Sequence, residues 1–447
     1  MASNGEETAP LLSNSRPFAR SDEEHEAHER IARAAKVRVI VSGVLTAVFV
    51  AALIVMFVAA DKLNLGTGDR GTLPKDPLKA AHVILKEAPI IDGHIDLPIL
   101  ARGLYSNNVT AIDLEKEMPA HVDIPRLKKG QVGGFFWSVY VGCPDGDSAG
   151  PDFLNATWRV RDTLEQIDVA KLLIEKYPDT FQLSLGTGDA KEAIIRGKIA
   201  SFLGIEGGHQ IGNSLAALRQ FYELGVRYMT LTHSCHNAFA DSCGILEPIE
   251  PLHGGLSEIG RTLIHEMNRL GMLVDLSHTS DATAAQAIKL SKAPVIWSHS
   301  SARAIANVPR NVPDEILKLI GTGKDQTDAV VMVNFAPFFV SKPPEKADLK
   351  LVADHIDHIG NVAGRKHVGI GSDYDGIGST PAGLDDVSKY PELIAELYSR
   401  GWTRRELAGL AGGNLIRVFE GAEKVASELR ASGAKPAMEV YHKRQDL

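Results

Sequence analysis

The sequence predicts an α/β fold, a (β/α)8 barrel of the TIM type, and three observations carry that expectation. Short apolar, β-prone runs recur eight times within residues 78–447. Helix-like stretches alternate with most of them, as a parallel sheet requires. Six of the runs end in His, Asp or Glu, and the C-terminal strand ends of a barrel point into one mouth. An open doubly wound sheet is the competing arrangement, since periodicity does not report closure.

The 447 residues are 44% hydrophobic and 23% charged, which excludes a mainly disordered or fibrous chain. A net charge of −8 argues against a nucleic-acid partner, which would select a basic face. Three cysteines without a CxxC spacing exclude a disulfide scaffold and a thiolate zinc knuckle.

Residues 1–38 read as a polar, disordered cytosolic tail (SDEEHEAHER). Within it, Glu7 to Leu12 resembles an acidic dileucine sorting signal, and a chance Leu pair fits equally well. Residues 39–60, VIVSGVLTAVFVAALIVMFVAA, carry no charge; as a helix they would reach about 33 Å, enough to cross a bilayer. Arg30, Arg33, Lys36 and Arg38 crowd the N-terminal flank, against Lys62 on the other, which predicts a cytosolic N-terminus. Sequons at Asn108 and Asn155 beyond the span agree as glycosylation acceptors. The expectation is a single-pass type II signal anchor with the outer domain lumenal or extracellular, on an endosomal, vacuolar or surface membrane. Residues 61–77 form a Gly/Pro-rich linker.

The eight runs lie around Ile90 and at 135–141, 199–206, 226–233, 272–278, 294–299, 329–335 and 367–373. Helical patterns fall at 157–177, 256–270 and 280–290. His94 and Asp96 follow the first run, Glu206 closes the third, His233 the fourth, His278 the fifth, His299 the sixth and Asp373 the eighth. Residues two apart in an extended segment project to one side, so His94 and Asp96 are able to grip one ion together. Imidazoles and carboxylates without thiolates suit zinc or a similar divalent metal. Five such ligands exceed the needs of one catalytic ion. Glu206, with two oxygens, would bridge a pair about 3.5–4 Å apart, and a hydroxide between them would form near neutrality. His236, His253, His265, His355, His358 and His367 lack this placement and read as structural or surface residues.

The segments IDGHIDLP (91–98), GIEGGHQI (204–211), LTHSCHNAFAD (231–241), LVDLSH (273–278), PVIWSHSSAR (294–303), NVPRNVPDE (307–315) and GIGSDYDGI (369–377) resemble the membrane (renal) dipeptidase family. They occur in that family's order across nearly all of the outer domain. The resemblance implies a zinc enzyme with an amidohydrolase-like barrel, two zinc ions per subunit, dipeptide substrates with some tolerance of D-residues at the C-terminal position, and a homodimer. It implies His94 and Asp96 on one zinc, Glu206 bridging, and His278 with His299 on the second. It further implies His233 at the scissile carbonyl and Arg310 on the terminal carboxylate, a role suited to a bidentate guanidinium. Asp373 would move the proton as general base and then acid, with Asp375 the alternative. A disulfide between Cys143 and Cys235 is implied as well, leaving Cys243 unpaired. Ile95, His236 and Phe239 depart from the family pattern and bear on substrate preference. The polar C-terminus lacks the hydrophobic tail of a lipid anchor. Alternative readings are a binuclear amidohydrolase acting on a non-peptide amide, and an inactive ectodomain with a scaffold role.

Overall fold

Parallel strands covered on both faces read as continuous apolar runs, and that is how the barrel strands of this chain are built. The computed structural model describes residues 72–444 apart from 146–148, 151 and 156, together with 29–30, 33–46 and 48–49. The chain divides into two units, Met1–Leu73 and Pro74–Leu447.

In the first unit, residues 33–46 are helical and exposed. The tail at 1–28, residues 47 and 50–60 of the expected span, and 61–71 of the linker lie outside the described residues. Among the described residues, no helix is long and apolar enough to cross a membrane.

Among the described residues, the second unit contains nine strands: β1 (Ile90–Ile95), β2 (Val132–Ser138), β3 (Phe181–Leu183), β4 (Ile199–Glu206), β5 (Val226–Thr230), β6 (Leu273–Asp275), β7 (Val295–Trp297), β8 (Ala329–Val333) and β9 (Val368–Ile370). Eight of them follow one another in parallel, in the order β1-β2-β4-β5-β6-β7-β8-β9. The ring nearly closes between its first and last members, where Asp373 N donates to His94 O at 3.0 Å and Asp96 N to Tyr374 O at 2.9 Å. Those two bonds decide for a barrel over an open sheet. The ninth strand, β3, was not expected. It pairs with β4 at Ile199–Ser201, below the stretch where β4 turns to β5.

Two boundaries differ from the sequence reading. β2 starts at Val132 rather than 135, because the pair Gly133-Gly134 continues the strand instead of breaking it. A Cβ at Gly133 would sit 2.4 Å from Pro89, so the strand tolerates only glycine there. The later strands stop short, leaving His233, His278, His299 and Asp373 two or three residues past their ends. His278 (φ 63°) and Asp373 (φ 66°) have left the ladder for left-handed backbone, which a strand does not allow.

The helices at Arg159–Lys176, Glu258–Leu270 and Asp281–Leu290 fall where the periodicity places them. Ser257 and Ser280 cap the latter two by accepting from Gly260 N and Thr283 N. Inside the barrel, Phe136, Phe202, Tyr228, Leu273, Ile296, Val330 and Met332 form one buried cluster, joined by Leu415, Val418, Phe419 and Ala422 of the helix Asn414–Ala431. This packed layer is the floor of the site. Gly204 makes room for it: a Cβ there would lie 2.2 Å from the Tyr228 ring.

Candidate metal centre and substrate pocket

Each site residue is set by the loop that follows a barrel strand. Asp96 occupies the N-cap position of the helix Leu97–Tyr105, yet its carboxylate makes no capping bond. Instead Asp96 Oδ2 lies 3.1 Å from His94 Nε2. His94 is held from behind by Tyr228, whose hydroxyl is 2.7 Å from Nδ1. Glu206, the last residue of β4, stands in the centre. Its Oε1 lies 2.9 Å from His278 Nε2 and 3.1 Å from His299 Nε2, while Oε2 lies 3.6 Å from His94 Nε2. Asp373 approaches His94 Nε2 at 4.0 Å through Oδ1, and its Oδ2 accepts from Asn334 Nδ2 at 2.9 Å.

The β6–β7 side has its own brace. Asp275 accepts from Ser298 Oγ at 2.6 Å, from Ser298 N at 2.8 Å and from Ser277 N at 3.1 Å, and Ser298 Oγ lies 2.7 Å from His299 Nδ1. The carbonyl of His278 accepts from Thr232 Oγ1 and Cys243 N, which fixes its left-handed turn.

The donor set fits a pair of divalent ions. Burial pushes His278 and His299 well below the usual histidine range, so both are neutral, yet their Nε2 atoms are 3.1 Å apart. Two imidazole nitrogens at that separation need a cation or a shared proton between them. His94 Nε2 and Asp96 Oδ1 are buried without a hydrogen-bond partner, as ligand atoms aimed at an ion would be. The groups His94/Asp96/Glu206, Glu206/His233/His278 and His94/His299/Asp373 each bring their ligand atoms within 4.8 Å of one another. Burial alone would lower His94, but Asp96 and Glu206 outweigh it and raise the imidazole to about 10. Burial, reinforced by the Asp96 charge, raises Asp373 to about 7.

A cavity of about 380 Å³ opens over these groups, lined by Asp96, Glu206, His233, His278 and Asp373 with Tyr140, Ile99, Ile245, Phe338 and Ile377. His233 borders it with Nε2 3.8 Å from Glu206 Oε1. The disulfide Cys143–Cys235 is formed beside it, and Cys243 is free and buried. Arg310 lies deeper. It does not line this cavity; Nη1 donates to Ser300 Oγ at 2.7 Å, while Nε and Nη2 are buried without partners. Two orphaned donors on a buried guanidinium mark a place for an anion.

Of the two acids left open at 373 and 375, the structure brings Asp373 to the cluster. Asp375 also borders the cavity, but its Oδ1 is taken up by His121, accepting from His121 N at 2.8 Å. His355, His358 and His253 are engaged with Val340 O, Asp314 and Asn237 O, away from the cluster. Asn108 and Asn155 are both exposed. Tyr228, Asp275, Ser298, Asn334 and His121 escaped the sequence reading. The first four lie inside or beside apolar strands and look like core residues, His121 lies in a loop, and no spacing betrays any of them.

Residues 78–433 match the model of the membrane dipeptidase family (peptidase family M19). An uncharacterized dipeptidase of Schizosaccharomyces pombe is 48% identical over 357 residues, 79% of this chain and 85% of the relative. The dipeptidase verJ of Clonostachys rogersoniana is 42% identical over 369 residues, 82% of this chain and 92% of the relative. Among solved structures, a metallo peptidase from Rhodobacter sphaeroides liganded with a phosphinate mimic of L-Ala-D-Ala superposes with a TM-score of 0.65 at 27% identity. The match covers 74% of this chain and 99% of that one.

Proposed function

Because this chain belongs to the membrane dipeptidase family, peptidase family M19, and is a metallo-dipeptidase, we propose that it cleaves small dipeptides at a two-zinc centre held by His94, Asp96, Glu206, His278 and His299. The observation that carries the reading is the split of the Glu206 carboxylate, one oxygen toward the His278–His299 pair and the other toward His94. When bound, zinc supplies a Lewis acid for the carbonyl and lowers the pKa of water.

The protein groups do the rest. Asp373 takes a proton from the attacking water and returns it to the leaving amine, a role that suits a carboxylate lining the cavity beside the cluster. His233, at the cavity wall, donates to the oxygen of the scissile carbonyl as negative charge develops there. Arg310, deeper than the cavity, would offer its two orphaned donors to a substrate carboxylate that reaches past His278. A dipeptide panel with wild type and Glu206→Ala tests the reading, with near-complete loss of turnover expected in the variant. Substantial residual activity would contradict the bridging role. A dipeptide whose C-terminal carboxylate is amidated should lose turnover if Arg310 reads that group.

The anchor belongs to the same proposal: residues 39–60 hold the enzyme as a type II protein, with the catalytic domain lumenal or extracellular, glycosylated at Asn108 and Asn155, and dimeric. Protease protection of sealed membranes, endoglycosidase mobility shifts and sedimentation of the detergent-solubilised chain test these three points. Digestion of the catalytic domain in intact vesicles with a lumen-inward orientation would reverse the topology.

A further inference from the structure

We infer that this dipeptidase selects substrates whose N-terminal residue carries a large apolar side chain, read by Ile99, Phe338 and Ile377; the inference rests on the dipeptidase reading above. The acidic groups and the apolar wall of the pocket share a corner. Ile99 is one turn past Asp96, its N–H donating to Asp96 O at 3.0 Å. Ile377 follows Gly376, which is pressed against both acids: a Cβ there would lie 2.3 Å from Asp96 Oδ2 and 2.7 Å from Asp373 Oδ1. Ile377 also packs on the buried cluster of Val308, Ala336 and Phe339, so the wall is contiguous. Phe338 stands beside it, 49% exposed, and Ile245 faces the cavity from the β5–β6 loop at 44%.

Half-exposed Phe and Ile side chains that converge on one cavity mark a surface that something apolar covers. Charge decides which part of the substrate that is. A dipeptide's ammonium belongs on the acidic side, where Asp373 and Asp375 line the cavity outside the metal-holding set, and its carboxylate with Arg310. The side chain sharing a Cα with the ammonium therefore falls on the Ile99–Ile377 wall. Leucine, methionine or phenylalanine fill it; glycine leaves it wet, and aspartate or lysine would strand a charge on it.

The test compares Leu-Gly, Gly-Gly, Asp-Gly and Gly-Leu with the zinc-loaded enzyme, alongside calorimetric binding of phosphinate mimics of Leu-Gly and Gly-Gly. The expected kcat/KM for Leu-Gly exceeds that for Gly-Gly and Asp-Gly by about 10- to 100-fold, and the mimics bind in the same order. Phe338→Ala, at a half-exposed position, and Ile377→Ser should each shrink that ratio at least about threefold by lowering Leu-Gly turnover more than Gly-Gly turnover. Equal rates for Leu-Gly and Gly-Gly, or a preference that follows the second residue in Gly-Leu, would overturn the inference. If no dipeptide is turned over but the Leu mimic still binds more tightly, the hydrolytic reading falls and the apolar subsite is upheld.

Discussion

The two sides of the metal centre are built from opposite materials. Toward β1 and β9, His94 sits among three carboxylates, Asp96, Glu206 and Asp373. Toward β6 and β7, the ligands are two imidazoles that burial keeps neutral, tied to a dense hydrogen-bonded brace on Asp275. The carboxylate side is charged and carries a brace of its own: Asp92 accepts from His94 N at 2.8 Å, Ser372 N at 3.1 Å and the Tyr390 hydroxyl at 2.6 Å, with the Tyr228 hydroxyl behind His94 and Asn334 behind Asp373. The imidazole side is neutral and braced on Asp275. Without a metal the first side keeps three clustered acids with only the raised His94 imidazole to offset them, whereas the second lacks only a partner for its lone pairs. Charge rather than bracing therefore separates the two halves, and on the two-ion reading a metal would matter more to the carboxylate one.

The largest effect should come from the residue that faces both halves. Glu206→Gln keeps the shape and removes the charge, and kcat should fall on the order of 10³-fold, with metal content dropping from two ions per chain to one or fewer. Elemental analysis beside steady-state kinetics checks both numbers. Two ions retained at wild-type kcat would break the idea of a shared bridge.

Chelation should reveal the asymmetry directly. Saturating metal at 100 to 1,000 times its Kd contributes about 3–4 kcal/mol to stability, which the apo protein loses. Hydrogen exchange should then quicken most at residues 373–379 and least at 276–279, where the Asp275 brace remains. Equal quickening in both loops would mean that the two sides rely on metal alike.

The braces themselves come next. Asp275 accepts from Thr230, Ser277 and Ser298, so Asp275→Asn disturbs several bonds at once and should weaken zinc binding by about 100-fold. Tyr228→Phe removes a single bond behind His94, with an expected loss of about tenfold. Competition titrations against a zinc chelator order the two variants. A reversed order would place the stronger support on the carboxylate side.

This contrast also explains what the sequence revealed. The groups that end strands were legible, because His94, Glu206, His233, His278, His299 and Asp373 interrupt apolar runs and stand out by chemistry. Their supports were not. Tyr228 and Asp275 lie within strands at positions where tyrosine or an internal carboxylate is unremarkable, and their partners are supplied by chain far away, as with Tyr228 and His94, 134 residues apart. β3 was missed for a related reason: three residues carry no period, and its pairing with β4 exists only once the barrel is formed. Closure between β1 and β9 rests on two backbone bonds, which no side-chain pattern encodes. The deep seating of Arg310 was equally invisible, since its motif reports an arginine but not the phenylalanine ring 5.5 Å beneath its guanidinium.

The smallest effect should arise where the carboxylate side meets the loop between β1 and β2. Asp375, in left-handed backbone at φ 69°, donates its N–H to His121 Nδ1 at 3.1 Å, and the His121 ring stacks on Tyr374 at 5.3 Å. The turn carrying Asp373 is thereby clipped to a side chain that touches neither ligand nor substrate. His121→Phe keeps the ring and deletes the acceptor, which should cost about 1 kcal/mol and lower Tm by about 2 °C. Turnover should drop less than about tenfold with two ions still bound, because the clip positions Asp373 without holding metal. Calorimetry, kinetics and metal analysis on the one variant separate these outcomes. Loss of an ion with the clip would show the carboxylate side to be held from outside the barrel, and the contrast with the Asp275 side would then be one of distance rather than of kind.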